Sequence, residues 1–440
     1  MAQRFPAEFR WGTATSAHQV EGCNRNNDWW AFEQLPGRIR SGHRSGRACD
    51  WWRNAEADFD RMAELGLNAH RLSVEWSRLE PEPGRVDEAS VRRYRQMLQG
   101  LRERGLEPMV TLHHFTLPLW VARQGGWENP KTVAWLGSHA RRCAEWFGDL
   151  VDLWVTVNEP NVVAALGYLQ GRHPPGVRNP VRAVRAIRHL LRAHAAAYRA
   201  VHEVQPAARV GIAHNLRPMD PARAEHRGDR WVASWHANWF NWMWLDVLHT
   251  GAWHGLLGPG QVAECVGTLD FVGVNYYTRD RVRFAPLAPH AAFGLHGPTP
   301  GAPVSDQGYG EIYPEGLVRV LREVWARYRR PVFVTENGLP DAADRWRPRF
   351  LVEHVGAVAR ALSDGVPVLG YYHWSLVDNF EWQDGWNLRF GLFGLDPDTQ
   401  RRWARPSARV YARICAARGL PAEFLGGTDR EGPWDSIEDF

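Results

Sequence analysis

Short runs of β-branched and other apolar residues recur along the chain, and stretches with apolar residues at three- and four-residue spacing lie between them. The short runs read as buried strands and the spaced pattern as amphipathic helix. Strands are predicted this way over residues 9–15, 69–76, 107–113, 151–158, 209–215, 269–276, 332–336 and 368–374. Helices are predicted over 54–65, 88–104, 132–147, 181–204, 230–249, 315–328, 349–364 and 407–418. Gly66, Gly105 and Gly419 stand just past three of these helices, as terminating glycines do. Strands apolar throughout and alternating with helices predict a parallel sheet covered on both faces. Eight such units closing on themselves make an α/β fold, the (β/α)8 TIM barrel, as a single domain over residues 1–420. An open doubly wound sheet is the alternative; no Gly-rich phosphate loop follows the first strand to support it. Residues 278–312 read as a long loop rich in Pro and Gly, and 421–440 as a polar, acidic tail.

Two of the strands end alike. Trp154-Val155-Thr156-Val157-Asn158-Glu159-Pro160 is an apolar run closed by an amide, a carboxylate and a proline. Proline cannot continue the ladder, and it biases Glu159 toward an extended backbone. Pro331-Val332-Phe333-Val334-Thr335-Glu336-Asn337-Gly338 repeats the design. In a barrel, chemistry gathers at the C-terminal ends of the strands. Those ends also offer Gln19, His113 and His114, Asn275, Tyr277 and Trp374, with Glu381 and Trp382 in the next loop and Arg71 within the second strand. Amides and carboxylates bind hydroxyls, and indoles stack on the apolar face of a pyranose. Two strand-end carboxylates suit glycoside cleavage, in which one acts as acid and the other as nucleophile. His113 and His114 lack a third ligand at suitable spacing, so no metal site is expected.

Composition narrows the partners. The 440 residues carry a net charge of +4, 44% hydrophobic and 23% charged residues. The arginines are dispersed, with no basic block of the kind that binds nucleic acid. The first residues hold no apolar signal core, and no stretch approaches the roughly 18 uncharged apolar residues of a membrane span. Five widely spaced cysteines suggest neither disulfides nor zinc, but a reducing compartment. The expected location is therefore cytoplasmic. With 24 tryptophans in the chain, most are expected in the core.

These motifs resemble glycoside hydrolase family 1 over nearly the whole chain. Thr156-Val157-Asn158-Glu159-Pro160 and Val334-Thr335-Glu336-Asn337-Gly338 are similar to its two acid motifs. The resemblance implies that Glu159 is the general acid/base and Glu336 the nucleophile of a retaining β-glucosidase. The turn Thr15-Ser16-Ala17-His18-Gln19-Val20-Glu21-Gly22 resembles the family's sugar-binding turn, which puts Gln19 on the substrate. By the same resemblance, His114, Asn158, Trp374, Glu381 and Trp382 bind sugar, and Arg71, Asn275 and Tyr277 support the acids. Members acting on phosphorylated sugars lack an acid where Glu381 stands, so unphosphorylated glycosides are expected. The substrates implied are small β-glycosides or short β-linked oligosaccharides, with glucose first and galactose or fucose also accepted. No cofactor is implied. Transglycosylation by the same residues and a catalytically silent sugar-binding barrel are the alternatives. Phe115 and Thr116 depart from the family's usual Trp-Asp, and Tyr309-Gly310 from its Gly-Trp.

Overall fold

The computed structural model describes residues 3–255 and 258–424. Eight parallel strands close into a barrel: β1 (Arg10–Ala14), β2 (Ala69–Ser73), β3 (Glu107–His113), β4 (Leu153–Asn158), β5 (Arg209–Asn215), β6 (Phe271–Tyr276), β7 (Val332–Asn337) and β8 (Val368–Trp374). Each pairs with its sequence neighbour, and β8 pairs with β1 to complete the ring. The (β/α)8 barrel expected from the sequence is therefore the fold.

Two apolar layers hold it. Inside the barrel, Met109, Leu153, Val155, Phe271, Phe333 and Tyr372 pack as one cluster. Outside it, the alternate residues of the same strands meet the helices, as Val110, Trp154, Val210, Val272 and Val334 do. A strand buried on both faces needs no polar alternation, which is why these segments read as continuous apolar runs. Helices Lys131–Phe147 and Pro180–Val204 lie close together, with Gly137 facing Ala196.

Four expectations need correction. The second strand ends at Ser73, because Glu75 starts a short helix, Trp76–Leu79, and accepts the Ser77 N–H at 3.3 Å. The loop 278–312 contains two strands, Asp280–Phe284 and Gly294–Gly297, which form a three-stranded sheet with Met219–Pro221. The helical stretch 230–249 is split by a π-helical segment, Asn238–Trp242. Glu159 is left-handed (φ 44°, ψ 59°), not extended. Its N–H bonds the Ala213 carbonyl on β5 at 2.7 Å, and Pro160 opens the following helix. That tertiary bond outweighs the local bias from proline. Residues 425–440 of the acidic tail lie outside the described residues.

Candidate active site

A cleft of about 680 Å³ opens at the C-terminal ends of the strands. Its lining includes His114, Asn158, Glu159, Tyr277, Glu336, Trp374, Glu381 and Trp382. Eight of the eleven side chains expected to act on, bind or support the sugar chemistry thus share one cavity. Gln19, Arg71 and Asn275 stand just behind it, each bonded to a residue of the lining.

The two acids sit in one polar network. Arg71, fully buried, donates from one terminal nitrogen to Glu336 Oε1 at 2.6 Å and from the other to Asn158 Oδ1 at 2.7 Å. Tyr277 donates its hydroxyl to Glu336 Oε2 at 2.6 Å, so both oxygens of that carboxylate are engaged. Asn275 donates to Glu159 Oε1 at 2.9 Å and to Asn158 Oδ1 at 3.1 Å. Asn215 also donates to Glu159 Oε1, at 2.9 Å. Glu336 therefore bonds a cation and a phenol, whereas Glu159 is hydrogen-bonded only by neutral amides.

That difference decides the charges. Burial pushes the Glu159 carboxyl up to about 7, and the neighbouring Glu336 charge adds to the effect. Burial also raises Glu336, but the Arg71 charge and hydrogen bonds from Tyr277 and Arg71 oppose it. Two buried carboxyls that feel each other's charge cannot both ionise freely. The proton settles on Glu159, and the charge on Glu336 beside its guanidinium.

The same bonds fix a histidine tautomer. Guanidinium offers only donors, so Asn158 must turn its oxygen toward Arg71. Its Nδ2 then faces His114 Nε2 at 3.0 Å, and that ring nitrogen accepts. Burial, with the Arg71 charge, holds His114 well below its ordinary pKa. The ring is neutral and carries its hydrogen on Nδ1, a buried atom with no protein partner among the described residues.

Glu381 closes the other end. Gln19 Nε2 lies 3.1 Å from Glu381 Oε2, 2.8 Å from Asn379 Oδ1 and 2.9 Å from the Phe380 carbonyl. Burial first, then Asp384 and Glu336, push Glu381 up to about 8. Trp382 and Trp374 flank His114, with ring centroids 6.1 and 5.9 Å away and the planes within 29° of parallel. Phe115 packs on Trp382 at 5.0 Å.

A chain that folds as a closed barrel and carries paired acids at the ends of β4 and β7 invites comparison with known proteins. Residues 1–420 match the family model for glycosyl hydrolase family 1. The chain belongs to that family. It is 34% identical to β-glucosidase A of Thermotoga maritima, over 95% of this chain and 99% of that protein. It is 33% identical to a β-galactosidase of Pyrococcus woesei, over 94% of this chain and 98% of that one. Among solved structures, a β-glycosidase from Pyrococcus horikoshii superposes with a TM-score of 0.90 at 38% identity, covering 97% of this chain and 98% of that chain. A Thermotoga maritima β-glucosidase in complex with castanospermine gives a TM-score of 0.90 at 33% identity, over 95% and 100% of the two chains. The family 1 membership inferred from the motifs thus holds, and with it glycosyl hydrolase activity.

The sequence reading missed Asn215, Arg217 and Asn379. Asn215 ends β5, and the strand-end rule applied there would have found it. Arg217 lies two residues beyond, and Asn379 is reached only through Gln19. Neither carries a local signal. Among the described residues no group of three or more His, Cys, Asp or Glu side chains could hold a metal ion. No described helix is long and apolar enough to cross a membrane.

Proposed function

We propose that this family 1 enzyme is a retaining β-glycosidase acting on terminal β-D-glucosyl residues, with β-D-galactosides and β-D-fucosides as secondary substrates. Its catalytic unit is the single barrel over residues 1–420. Glu159 is the general acid/base and Glu336 the nucleophile. The observation that carries this assignment is the unequal treatment of two buried carboxyls: Arg71 and Tyr277 at 2.6 Å hold Glu336 as an anion, and amides surround a Glu159 raised to about 7.

In the first step a Glu336 oxygen attacks the anomeric carbon as the glycosidic C–O bond breaks. The Glu159 proton passes to the leaving oxygen, and Glu159 becomes a carboxylate. In the second step that carboxylate takes a proton from water, the water oxygen attacks the anomeric carbon, and Glu336 leaves. Configuration is retained by two inversions. Glu159 Oε1 already accepts two N–H groups, so its proton belongs on Oε2. The second amide hydrogen of Asn158 is free for the sugar 2-hydroxyl, and His114 Nδ1–H for a neighbouring one. Gln19 and Glu381 bind hydroxyls at the far side of the ring, and Trp374 and Trp382 pack against the sugar. Family relatives named as β-glucosidase and β-galactosidase support this glycone range.

The test is hydrolysis of 4-nitrophenyl β-D-glucoside beside the galactoside, fucoside and 6-phosphoglucoside, with Glu159→Gln and Glu336→Gln as controls. Cleavage of the glucoside that is lost in Glu336→Gln supports the reading. Cleavage of the 6-phosphoglucoside alone would overturn the assigned substrate.

A further inference from the structure

The acid/base carboxyl receives a hydrogen bond from Asn215, and a guanidinium holds Asn215 much as Arg71 holds Asn158. Arg217 Nε and a terminal guanidinium nitrogen both donate to Asn215 Oδ1, at 3.3 and 3.1 Å. The other face of the same amide, Nδ2, donates to Glu159 Oε1 at 2.9 Å. An asparagine amide can turn over, exchanging donor for acceptor. Turned over here, it would set its NH2 against a guanidinium that accepts nothing. It would also present an oxygen to Glu159 Oε1 and draw the carboxyl proton onto that atom. Arg217 forbids the exchange.

Arg217 is itself fixed from several sides. Its backbone N–H bonds Asn241 Oδ1 at 3.2 Å, and its carbonyl accepts Asn241 Nδ2 at 2.7 Å. The guanidinium lies over the Phe240 ring, 5.2 Å from its centroid. Asp280 stands 3.5 Å away and is held in turn by His296 at 3.0 Å. So the charge is neutralised, the plane is stacked and the backbone is clamped. A solvated arginine would need none of these.

We propose that Arg217 is a positioning residue for general acid catalysis: by occupying the oxygen of Asn215 it keeps the amide N–H on Glu159 Oε1 and the catalytic proton on Oε2, facing the leaving group. The proposal rests on the assignment of Glu159 above. It makes a prediction that a merely structural arginine would not. Loss of the lock impairs proton delivery, and proton delivery matters only for leaving groups that need a proton.

The experiment compares kcat/KM for cellobiose and for 2,4-dinitrophenyl β-D-glucoside, whose phenolate departs unprotonated. Because kcat/KM reports steps up to the first bond cleavage, the later base role of Glu159 does not enter. Since general acid catalysis is worth about a hundredfold or more, Arg217→Met is expected to lower kcat/KM on cellobiose about tenfold and to leave the dinitrophenyl substrate within about threefold. Arg217→Lys, which keeps a donor for Asn215 and a charge for Asp280, recovers most of the loss. Asn215→Ala gives the same split should Arg217→Met fail to fold. Equal loss on both substrates, or no loss on either, overturns the proposal. Glu159→Gln run alongside separates the two failures: if it shows no split, the assignment of Glu159 falls; if it alone shows the split, only the role of Arg217 does.

Discussion

The guanidinium of Arg71 stands 2.6 Å from the carboxylate of Glu336, and the side chains of both are almost wholly buried. In water such a pair contributes little, but here the charge on either partner depends on the other. Arg71→Met leaves a buried carboxylate beside Glu159 with only Tyr277 and neutral amides for company. Removing one partner of a buried pair typically costs about 3–5 kcal/mol of stability. The denaturation midpoint should fall accordingly. The Glu336 pKa should rise, moving the acid limb of kcat/KM to higher pH. A variant with wild-type midpoint and profile would remove Arg71 from the account.

The raised pKa of Glu159 sets both an activity limit and a stability limit. With Glu159 as acid and Glu336 as nucleophile, as proposed, activity needs Glu159 protonated and Glu336 ionised, so kcat/KM should be bell-shaped, with its basic limb near the value of about 7 for Glu159. For stability, a carboxyl raised in the folded state contributes fully below its ordinary value of 4.5, and that contribution is lost as pH climbs through about 7. Glu159→Gln removes the buried charge altogether. Its melting temperature should therefore match the wild type at pH 4 and exceed it by about 2 °C or more at pH 8. Thermal scans at the two pH values check the sign; a variant less stable at pH 8 would contradict it.

On the proposed assignment, Glu381 helps select which sugars enter. Burial first, then its acidic neighbours Asp384 and Glu336, push it up to about 8, so at neutral pH much of it holds a proton. The expected rejection of a 6-phosphate then comes from the acidic group as a whole and not from Glu381 alone. Glu381→Ser should lower kcat/KM on 4-nitrophenyl β-D-glucoside about 100-fold, as lost hydrogen bonds to hydroxyls do. Discrimination against the 6-phosphoglucoside should narrow but not reverse. Reversal by this one change would mean that Asp384 and Glu336 play no part.

The barrel and the acids were legible because both are local patterns. Each strand is an apolar run with its own stop signal, and β3, β5 and β8 begin and end where the run does. Glu159 and Glu336 stand out because a carboxylate at the tip of a buried strand is costly without a purpose. What stayed hidden depends on distant contacts. The left-handed backbone of Glu159 follows from a bond to Ala213 on the next strand. The strands within 278–312 are short, and only Val282 of Asp280–Phe284 is buried, too weak an alternation to read among prolines and glycines. Asn215 was within reach of the strand-end rule; Arg217 was not, since its meaning lies in Asn215, Asn241 and Asp280 at once.

The loop that carries Glu381 and Trp382 depends on one such distant contact. Asp378, at its start, takes a two-pronged bond from Arg405, with both distances 2.8 Å, and accepts the Gly391 N–H at 2.9 Å. A Cβ on Gly391 would lie 2.2 Å from the Asp378 nitrogen, so the two ends of the loop touch only because that residue is glycine. Arg405→Met should destabilise the protein by about 3–5 kcal/mol, as loss of a buried ion-pair partner does. It should also raise KM for the glucoside. Urea denaturation with steady-state kinetics tests both, and an unchanged KM would show the loop is held elsewhere.

The proposed mechanism turns on a covalent bond between Glu336 and the sugar. Incubation with 2-deoxy-2-fluoro-β-D-glucosyl fluoride tests it most directly, because the C2 fluorine slows both steps while the fluoride leaving group restores the first. Peptide mass spectrometry should find one fluoroglucosyl adduct per chain, on Glu336, and none on the Glu336→Gln variant. An adduct on another residue, or turnover without an adduct and with inverted configuration in the product, would contradict the account.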